Sequence, residues 1–182
     1  MGKFVGGLIL GMVVVPLCVY MYFSTGTAPA ATAAQPMPFE KQFAHMALNA
    51  RIDKEAPKAA PFTPDDAAYA AGAQLYKEHC AVCHGLPGQP QTAIAKGEYP
   101  KPPKLLEGKG VTDDPAGETY WKVANGIRMT GMPSFDKSLS ETQMWQISFL
   151  MANADKLPQA VKDSLAAPPP APAVAAPLPA TR

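Results

Sequence analysis

The sequence is poor in the residues that mark several common protein classes. Only three of its 182 residues are cysteines, and Cys18 lies far from Cys80 and Cys83. Three cysteines are too few for a disulfide framework or a four-cysteine zinc site. The formal net charge is +1, which argues against nucleic-acid binding, because such proteins carry a basic patch or stripe. No segment alternates between apolar and polar residues as a half-buried strand does, so the sequence predicts an all-α protein.

Charge is also missing from the N-terminal segment. Residues 4–23 are uncharged, and a helix of that length rises about 30 Å, enough to cross a bilayer. We therefore expect a single-pass membrane anchor over residues 1–23. A cleaved signal peptide is the alternative, because small residues follow at Ala28-Pro29-Ala30, although signal peptides have a shorter apolar stretch of roughly 7–15 residues. Lys3 agrees with a cytoplasmic N-terminus.

Eleven of the 21 prolines lie in two Ala/Pro-rich segments on either side of a central domain. By composition, residues 24–62 are a linker and residues 166–182 are a disordered tail. The linker contains one candidate short helix, over residues 38–52, because Phe39, Phe43 and Met46 fall near one helical face. This segment is either a transient, partly helical linker or a docking helix that lies on the membrane surface or on a partner subunit.

The folded domain is predicted over residues 63–165. Thr63-Pro64 resembles a helix start, with a hydroxyl cap before a proline at the first helical position, and this helix should run to about Glu78. A second helix is predicted from Asp114-Pro115, with Gly126 just beyond its end.

A third helix should begin at Ser140, where Gln143 completes a capping box. Between the first two helices, residues 85–113 are rich in proline and glycine and resemble a loop. A loop of that length in a compact domain needs a reason, and wrapping a large rigid cofactor would supply one.

Cys80-Ala81-Val82-Cys83-His84 is the strongest chemical signal in the sequence. Cys-x-x-Cys-His is the attachment pattern of c-type haem: two thiols add across the vinyl groups and the histidine binds the iron. A thioredoxin-like redox pair would need a surrounding βαβ pattern. Half a zinc site would need a second pair of ligands, and His45 and His79 are the remaining histidines.

A sixth iron ligand is expected from the loop before the third helix. Met132 lies between Gly131 and Pro133, where packing alone rarely requires a methionine, and thioether sulfur is a soft ligand that raises the reduction potential of haem. Met129, three residues earlier, is the competing candidate.

Three blocks of sequence together resemble the class I cytochrome c family over roughly residues 63–165. They are, in order, Gly72-x-x-Leu75-Tyr76 ahead of Cys80-x-x-Cys83-His84, the run from Gly126 to Phe135, and a closing helix with Trp145 and Phe149-Leu150. The resemblance implies a class I cytochrome c fold, in which three to four helices wrap around one covalent haem c. It also implies that the helices carrying Gly72 and Trp145 cross near Gly72.

The resemblance further implies His84 and Met132 as the two axial ligands of the iron. A proline carbonyl should accept a hydrogen bond from the outer nitrogen of His84, and Tyr99 to Pro103 is the expected region. Haem attachment in this family takes place outside the cytoplasm, so the resemblance places the domain on the periplasmic side of the cytoplasmic membrane.

The function implied is transfer of single electrons between a protein donor and a protein acceptor, without a catalytic residue, a small-molecule substrate or a nucleic acid. The chain would act as a tethered shuttle or as the haem subunit of a membrane respiratory or dehydrogenase complex. Lysines between Lys96 and Lys109 would then orient an acidic partner, or simply keep a loop soluble. The alternative function is a haem-based sensor or gas-binding protein with a displaceable Met132.

Replacing both Cys80 and Cys83 with alanine should abolish covalent haem binding, because each thiol forms one thioether. Haem staining of a denaturing gel of membranes measures this directly, and Cys18→Ala is the matched control that should keep full staining. Full staining of the double variant would overturn the cytochrome interpretation.

Overall fold

The computed structural model describes residues 1–107 and 113–167, and the chain forms two compact units, Met1–Ala50 and Arg51–Arg182. In the described residues every regular element is a helix, which confirms the predicted fold class. The helices are α1 (Gly2–Ser24), α2 (Glu40–Glu55), α3 (Asp66–His79), α4 (Ala81–His84), α5 (Ala93–Gly97), α6 (Ala116–Asn125), α7 (Glu141–Ala152) and α8 (Gln159–Ala166). The predicted tail from residue 168 onwards, and Lys109 in the predicted loop, lie outside the described residues.

The first unit contains α1, the chain that follows it and most of α2. Helix α1 is apolar and long enough to cross a membrane, and none of its residues is buried. Pro16 lies inside it. By length and composition α1 fits either a membrane anchor or a signal sequence, the two alternatives that the sequence leaves open.

Part of the predicted linker is helical. Helix α2 covers Glu40–Glu55, where a short helix over 38–52 is predicted. Glu40 stabilises its start, since the carboxylate accepts a hydrogen bond from the backbone N–H of Met37 at 2.8 Å. The chain without helix between α1 and α2 is therefore limited to residues 25–39.

The second unit begins at Arg51, earlier than the predicted domain start at Thr63. Ile52 and Ala56 are buried. The Trp121 indole donates a hydrogen bond to Glu55 at 3.1 Å, and the Phe62 and Phe149 rings meet edge to face at 5.2 Å. Residues 51–62 thus belong to the second unit and pack against its helices. The Ala/Pro-rich composition of residues 51–62 does not predict this packing, because the apolar residues that pack are widely spaced.

Helix α3 begins two residues later than the predicted start. The cap is Asp65, whose side chain accepts a hydrogen bond from the Ala68 N–H at 2.8 Å, in place of the predicted Thr63. Asp caps a helix as well as Thr does, and a cap at Asp65 leaves Asp66 in the first turn, where its charge favours the helix dipole. The helix ends at His79, one residue after the predicted end.

The predicted C-terminal end of α6 and the predicted N-terminal start of α7 are both present in the structure. Gly126 terminates α6 with a φ of 67°. Ser140 and Gln143 form the capping box of α7, with both reciprocal hydrogen bonds present. The short helices α4 and α5 and the final helix α8 are not predicted by the sequence reasoning. The signal for α8 was the pair Val161 and Leu165, which are four residues apart and both buried.

The core of the second unit is built on the crossing of α3 and α7, which confirms the contact implied at Gly72. A Cβ added to Gly72 would overlap the carbonyl oxygen of Gln146 and lie 3.4 Å from Cβ of Leu150. Helix α3 can therefore approach the backbone of α7 only because residue 72 has no side chain. Beside this crossing, Trp145 is buried and stacks on Tyr120 with ring centroids 4.5 Å apart.

Gly72→Ala should destabilise the domain by about 1–3 kcal/mol, because the added methyl group meets rigid backbone on the other helix. Chemical unfolding of the haem-loaded protein gives the change in free energy. Gly97→Ala is the matched control: nothing lies within 4 Å of its Cβ position, so its effect should stay within about 0.5 kcal/mol. Equal effects of the two substitutions would contradict the close crossing.

Candidate functional site

The Cys-x-x-Cys-His segment forms a tight helical turn directly after α3. Cys80 ends α3, and the N–H groups of Cys83 and His84 both donate to its carbonyl oxygen, at 3.1 and 2.9 Å. Gly85 then reverses the chain with a φ of 79°, and the Tyr76 hydroxyl donates to its carbonyl at 2.8 Å. This hydrogen bond fastens the end of the turn to a buried side chain of α3. The turn is thus held at both ends by the helix whose position Gly72 fixes.

The ring of His84 is oriented by one hydrogen bond. Its Nδ1 lies 2.7 Å from the carbonyl oxygen of Pro103. A carbonyl oxygen can only accept, so Nδ1 carries the proton and, in the neutral ring, Nε2 has the free lone pair. Burial lowers the pKa of His84, against the opposing effects of the Pro103 hydrogen bond and the Glu98 charge, so the ring is neutral at pH 7. The sequence predicted a proline carbonyl within 99–103, and the structure identifies it as that of Pro103.

Both cysteines of the turn are free thiols in the structure. Burial, with a smaller contribution from Cys83, raises the pKa of the Cys80 thiol to about 12. Burial also raises the pKa of Cys83, together with a hydrogen bond from its thiol to Glu98 at 3.3 Å. The two groups are therefore protonated at neutral pH, and thioether formation would remove both protons. The Cys83–Glu98 hydrogen bond can therefore form only while Cys83 is a thiol, before haem is attached to it.

The other interpretations of the cysteine pair gain no support from their surroundings. A thioredoxin-like site requires strands, and residues 1–107 and 113–167 contain none. A zinc site requires further ligands, and within the same residues no group of three or more His, Cys, Asp or Glu side chains is placed to hold a metal ion.

The predicted methionine loop folds back on the C-terminal end of α6. The carbonyl of Met132 accepts from the Ile127 N–H at 3.1 Å, and its N–H donates to the Thr130 hydroxyl at 3.1 Å. A Cβ on Gly126 would lie within 3 Å of the backbone of Met132, Pro133 and Ser134. Glycine is therefore required at residue 126 both by its positive φ and by the close approach of this loop.

The two candidate methionines have very different surroundings. Met132 is half-buried and packs against the hydrophobic core. Met129 is 93% exposed and has a φ of 60°, which points to a turn residue at the outside of the loop. A side chain that packs against the core is better placed to bind iron than an exposed one, so the structure supports the preference for Met132.

Glu98 connects the methionine loop with the cysteine turn. Its Oε1 accepts from the Cys83 thiol, and the same atom would lie 2.7 Å from a Cβ on Gly131, the residue before Met132. The side chain is therefore in contact with both segments, which shows that the methionine loop and the cysteine turn lie close together. Sequence reasoning missed Glu98, since a single glutamate in a loop rich in proline and glycine carries no recognisable pattern.

The family model described as cytochrome c oxidase, cbb3-type, subunit III matches residues 67–148, slightly under half of the chain. The matched residues include the whole Cys-x-x-Cys-His turn and the methionine loop. Residues 67–148 are a c-type cytochrome domain. A domain of this class implies covalent haem c and electron transfer.

One solved structure similar to this cytochrome is the reducing HAO-like protein complex of Kuenenia stuttgartiensis. The two share 21% sequence identity with a TM-score of 0.47, over 74% of this chain and 54% of that one. This chain thus spans about half the length of the chain it matches. No curated protein sequence matches the cytochrome.

The donor set of this cytochrome domain fits haem c. Cys80 and Cys83 are adjacent free thiols for the two thioethers, and the proton on Nδ1 of His84 leaves Nε2 for the iron. Met132 would supply the second axial ligand. When bound, haem c provides an iron that cycles between the ferrous and ferric states. The protein would hold the imidazole of His84 through Pro103 and the side chain of Met132 through the packing of its loop.

Met132→Ala should lower the reduction potential by at least on the order of 0.1 V, because axial ligand identity sets haem potentials over a range of about 0.8 V. It should also make the ferrous protein bind carbon monoxide. Redox titration and carbon monoxide difference spectra measure the two effects.

Met129→Ala is the matched control for this experiment and should leave both properties nearly unchanged, because its side chain is exposed. A reversal of the two results would show that Met129 is the ligand, and it would leave the fold assignment intact.

Proposed function

We propose that the protein carries single electrons between a protein donor and a protein acceptor at the outer face of the cytoplasmic membrane, through one haem c. The observation that carries the proposal is that the Met132 loop and the cysteine turn lie close together, since Glu98 contacts both. His84 is held by Pro103 in the tautomer that leaves Nε2 for the iron. Two protein ligands leave no coordination position for a substrate, so the iron changes oxidation state with little rearrangement.

The proposed location is a single-pass membrane protein with the haem domain in the periplasm and α1 as an uncleaved anchor. The length of α1 supports an anchor, since its 23 residues exceed the apolar stretch of a signal peptide, roughly 7–15 residues. The matched family is named for a subunit of an oxidase, which supports a membrane respiratory complex as the partner. Within such a complex the domain would act as a haem subunit.

The partner surface proposed for this domain has an apolar centre. In the described part of the second unit, the exposed large apolar side chains are those of Val82, Ile94, Tyr99 and Met129. All four belong to segments next to the site. Val82 lies within the cysteine turn, and the segment of Ile94 is attached to it because Thr92 donates a hydrogen bond to the Val82 carbonyl. Tyr99 follows Glu98, which contacts both Cys83 and Gly131, and Met129 belongs to the loop of Gly131. An apolar centre of this kind suits a protein partner that docks and leaves.

Basic residues accompany this apolar centre. Lys96, Lys101 and Arg128 are exposed on the same segments, whereas Lys104 pairs with Glu107 at 3.0 Å. Glu107 in turn accepts from the Gly88 N–H. Among the lysines between Lys96 and Lys109, Lys104 is thus paired within its own loop, and Lys101 is the better candidate for orienting an acidic partner.

The proposal is tested on the full chain isolated from membranes. Redox titration should show one reversible single-electron transition, and the ferrous protein should not bind carbon monoxide. The ferric protein should also show the long-wavelength absorption band of a methionine–iron bond. Rapid carbon monoxide binding by the unmodified protein would favour the sensor or gas-binding alternative.

Lys101→Glu should slow reduction by the native donor several-fold at low ionic strength and have little effect at high salt. Steering charges act mainly on the association rate, and salt screens them with a Debye length of about 10 Å at 0.1 M. Stopped-flow reduction at two salt concentrations measures the effect. Lys156→Glu, an exposed site between α7 and α8, makes the same charge change and should not alter the rate. Equal rates for the two variants at low salt would remove Lys101 from the partner surface.

A further inference from the structure

An apolar face on the first part of α2 has no role in the electron-transfer site. Phe39, immediately before the helix, is 65% exposed, and Phe43 and Met46 are each 64% exposed. The two phenylalanine rings meet edge to face with centroids 6.4 Å apart. At 100° per residue, Phe43 and Met46 lie about 60° apart around the helix axis. Phe39 precedes the helix with a φ of 63°, and its ring contact with Phe43 places it beside them. We call these three residues the α2 apolar face.

The α2 apolar face is not a continuation of the haem-domain core. The residue of α2 that the second unit buries is Ile52, which is 3% exposed. It lies about 180° around the helix axis from Phe43, on the opposite side of the helix. The burial of Ile52 therefore leaves the α2 apolar face uncovered.

The chain restricts where this face can be. Helix α1 ends at Ser24, and only residues 25–39 separate it from α2. A flexible chain of that length spans about 20 Å root-mean-square. Tyr20, Tyr22 and Phe23 at the end of α1 are the aromatic residues typical of a membrane–water interface. Phe39 is consequently confined to the neighbourhood of the interface, where the bilayer has a high effective concentration.

Charge does not oppose contact with the bilayer and does not drive it. Between Phe4 and Ala50 the only charged residues are Glu40 and Lys41, which cancel. The connecting residues 25–39 have no charge at all. Contact with lipid would therefore come from burial of apolar surface and be insensitive to salt, unlike the binding of basic helices to anionic lipid.

Given the proposed anchor, we propose that the α2 apolar face lies in the headgroup region of the same bilayer that α1 crosses. The chain is then attached to the membrane at two places, by α1 across it and by Phe39, Phe43 and Met46 on its surface. The second attachment leaves residues 25–39 as a short connection along the interface. The domain then works close to the membrane surface, which suits a partner that is itself a membrane complex.

The test places a spin label at two neighbouring residues of the full chain with its haem bound. Phe43→Cys puts the label on the α2 apolar face, and Ala44→Cys puts it about 100° around the helix at nearly the same distance from α1. Both are made together with Cys18→Ala, and Cys18→Ala alone should take up no label. The protein is reduced, so that the iron is diamagnetic, and reconstituted in vesicles of phosphatidylethanolamine and phosphatidylglycerol.

We expect the bilayer to protect the label at residue 43, but not the label at residue 44, from water-soluble reagents. Accessibility to a water-soluble nickel chelate should be at least about five-fold lower at 43, and accessibility to oxygen should be higher, as for a side chain buried about 5–10 Å into the interface. The difference should be the same at low and high salt. An unchanged visible spectrum confirms that the substitutions leave the haem domain intact.

Flotation of the same vesicles separates the two proposals. If the chain floats and both labels are equally accessible to the chelate, the α2 apolar face does not contact lipid and the anchor proposal stands. Protection of residue 43 only in native membranes would identify a protein as the occupant and overturn the lipid contact. A chain that does not float would overturn the anchor, and the inference with it.

Discussion

The structure of the haem domain depends on one contact between two backbones. At Gly72, α3 lies against the carbonyl of Gln146 so closely that no side chain fits between them. This contact fixes the direction of α3, and the cysteine turn follows α3 without an intervening loop. The position of both thiols and of the His84 ring is therefore set by a residue that touches none of them. Such an arrangement suits an electron carrier, whose site gains from being held rigidly in both oxidation states.

The site itself is held by groups from segments far apart in the sequence. Pro103 fixes the tautomer of His84 across 19 residues, and Glu98 lies against both the cysteine turn and the loop of Met132. Gly126 allows that loop to lie on the end of α6. The long segment between the first two domain helices thus supplies the carbonyl that orients His84 and a carboxylate that contacts the loop of Met132. This role accounts for its high content of proline and glycine, which give fixed and reversed backbone directions.

The sequence predicted the parts of this protein that have local signals. A few adjacent residues or a family pattern were enough to predict the cysteine turn, the end of α6 at Gly126, the Ser140 capping box and the close approach at Gly72. Glu98 and the packing of residues 51–62 could not be predicted in this way, because they depend on which segments meet in space. Helix α8 was missed for a different reason: its two buried residues are too few to stand out from an Ala-rich background. The sequence already favoured Met132 over Met129, and the difference in their exposure, which only the structure provides, supports that preference.

The packing of residues 51–62 determines how a water-soluble form of this protein should be prepared. Truncation at Thr63, where composition places the domain boundary, would remove Phe62 from the Phe149 ring and Glu55 from the Trp121 indole. It would also strip Pro57 from the backbone of α6, where its carbonyl oxygen lies so close to Gly117 that a Cβ there would overlap it. Aromatic surface next to Trp145 would then face water, and aggregation would be the expected outcome. A soluble fragment that begins at Arg51 keeps that surface covered.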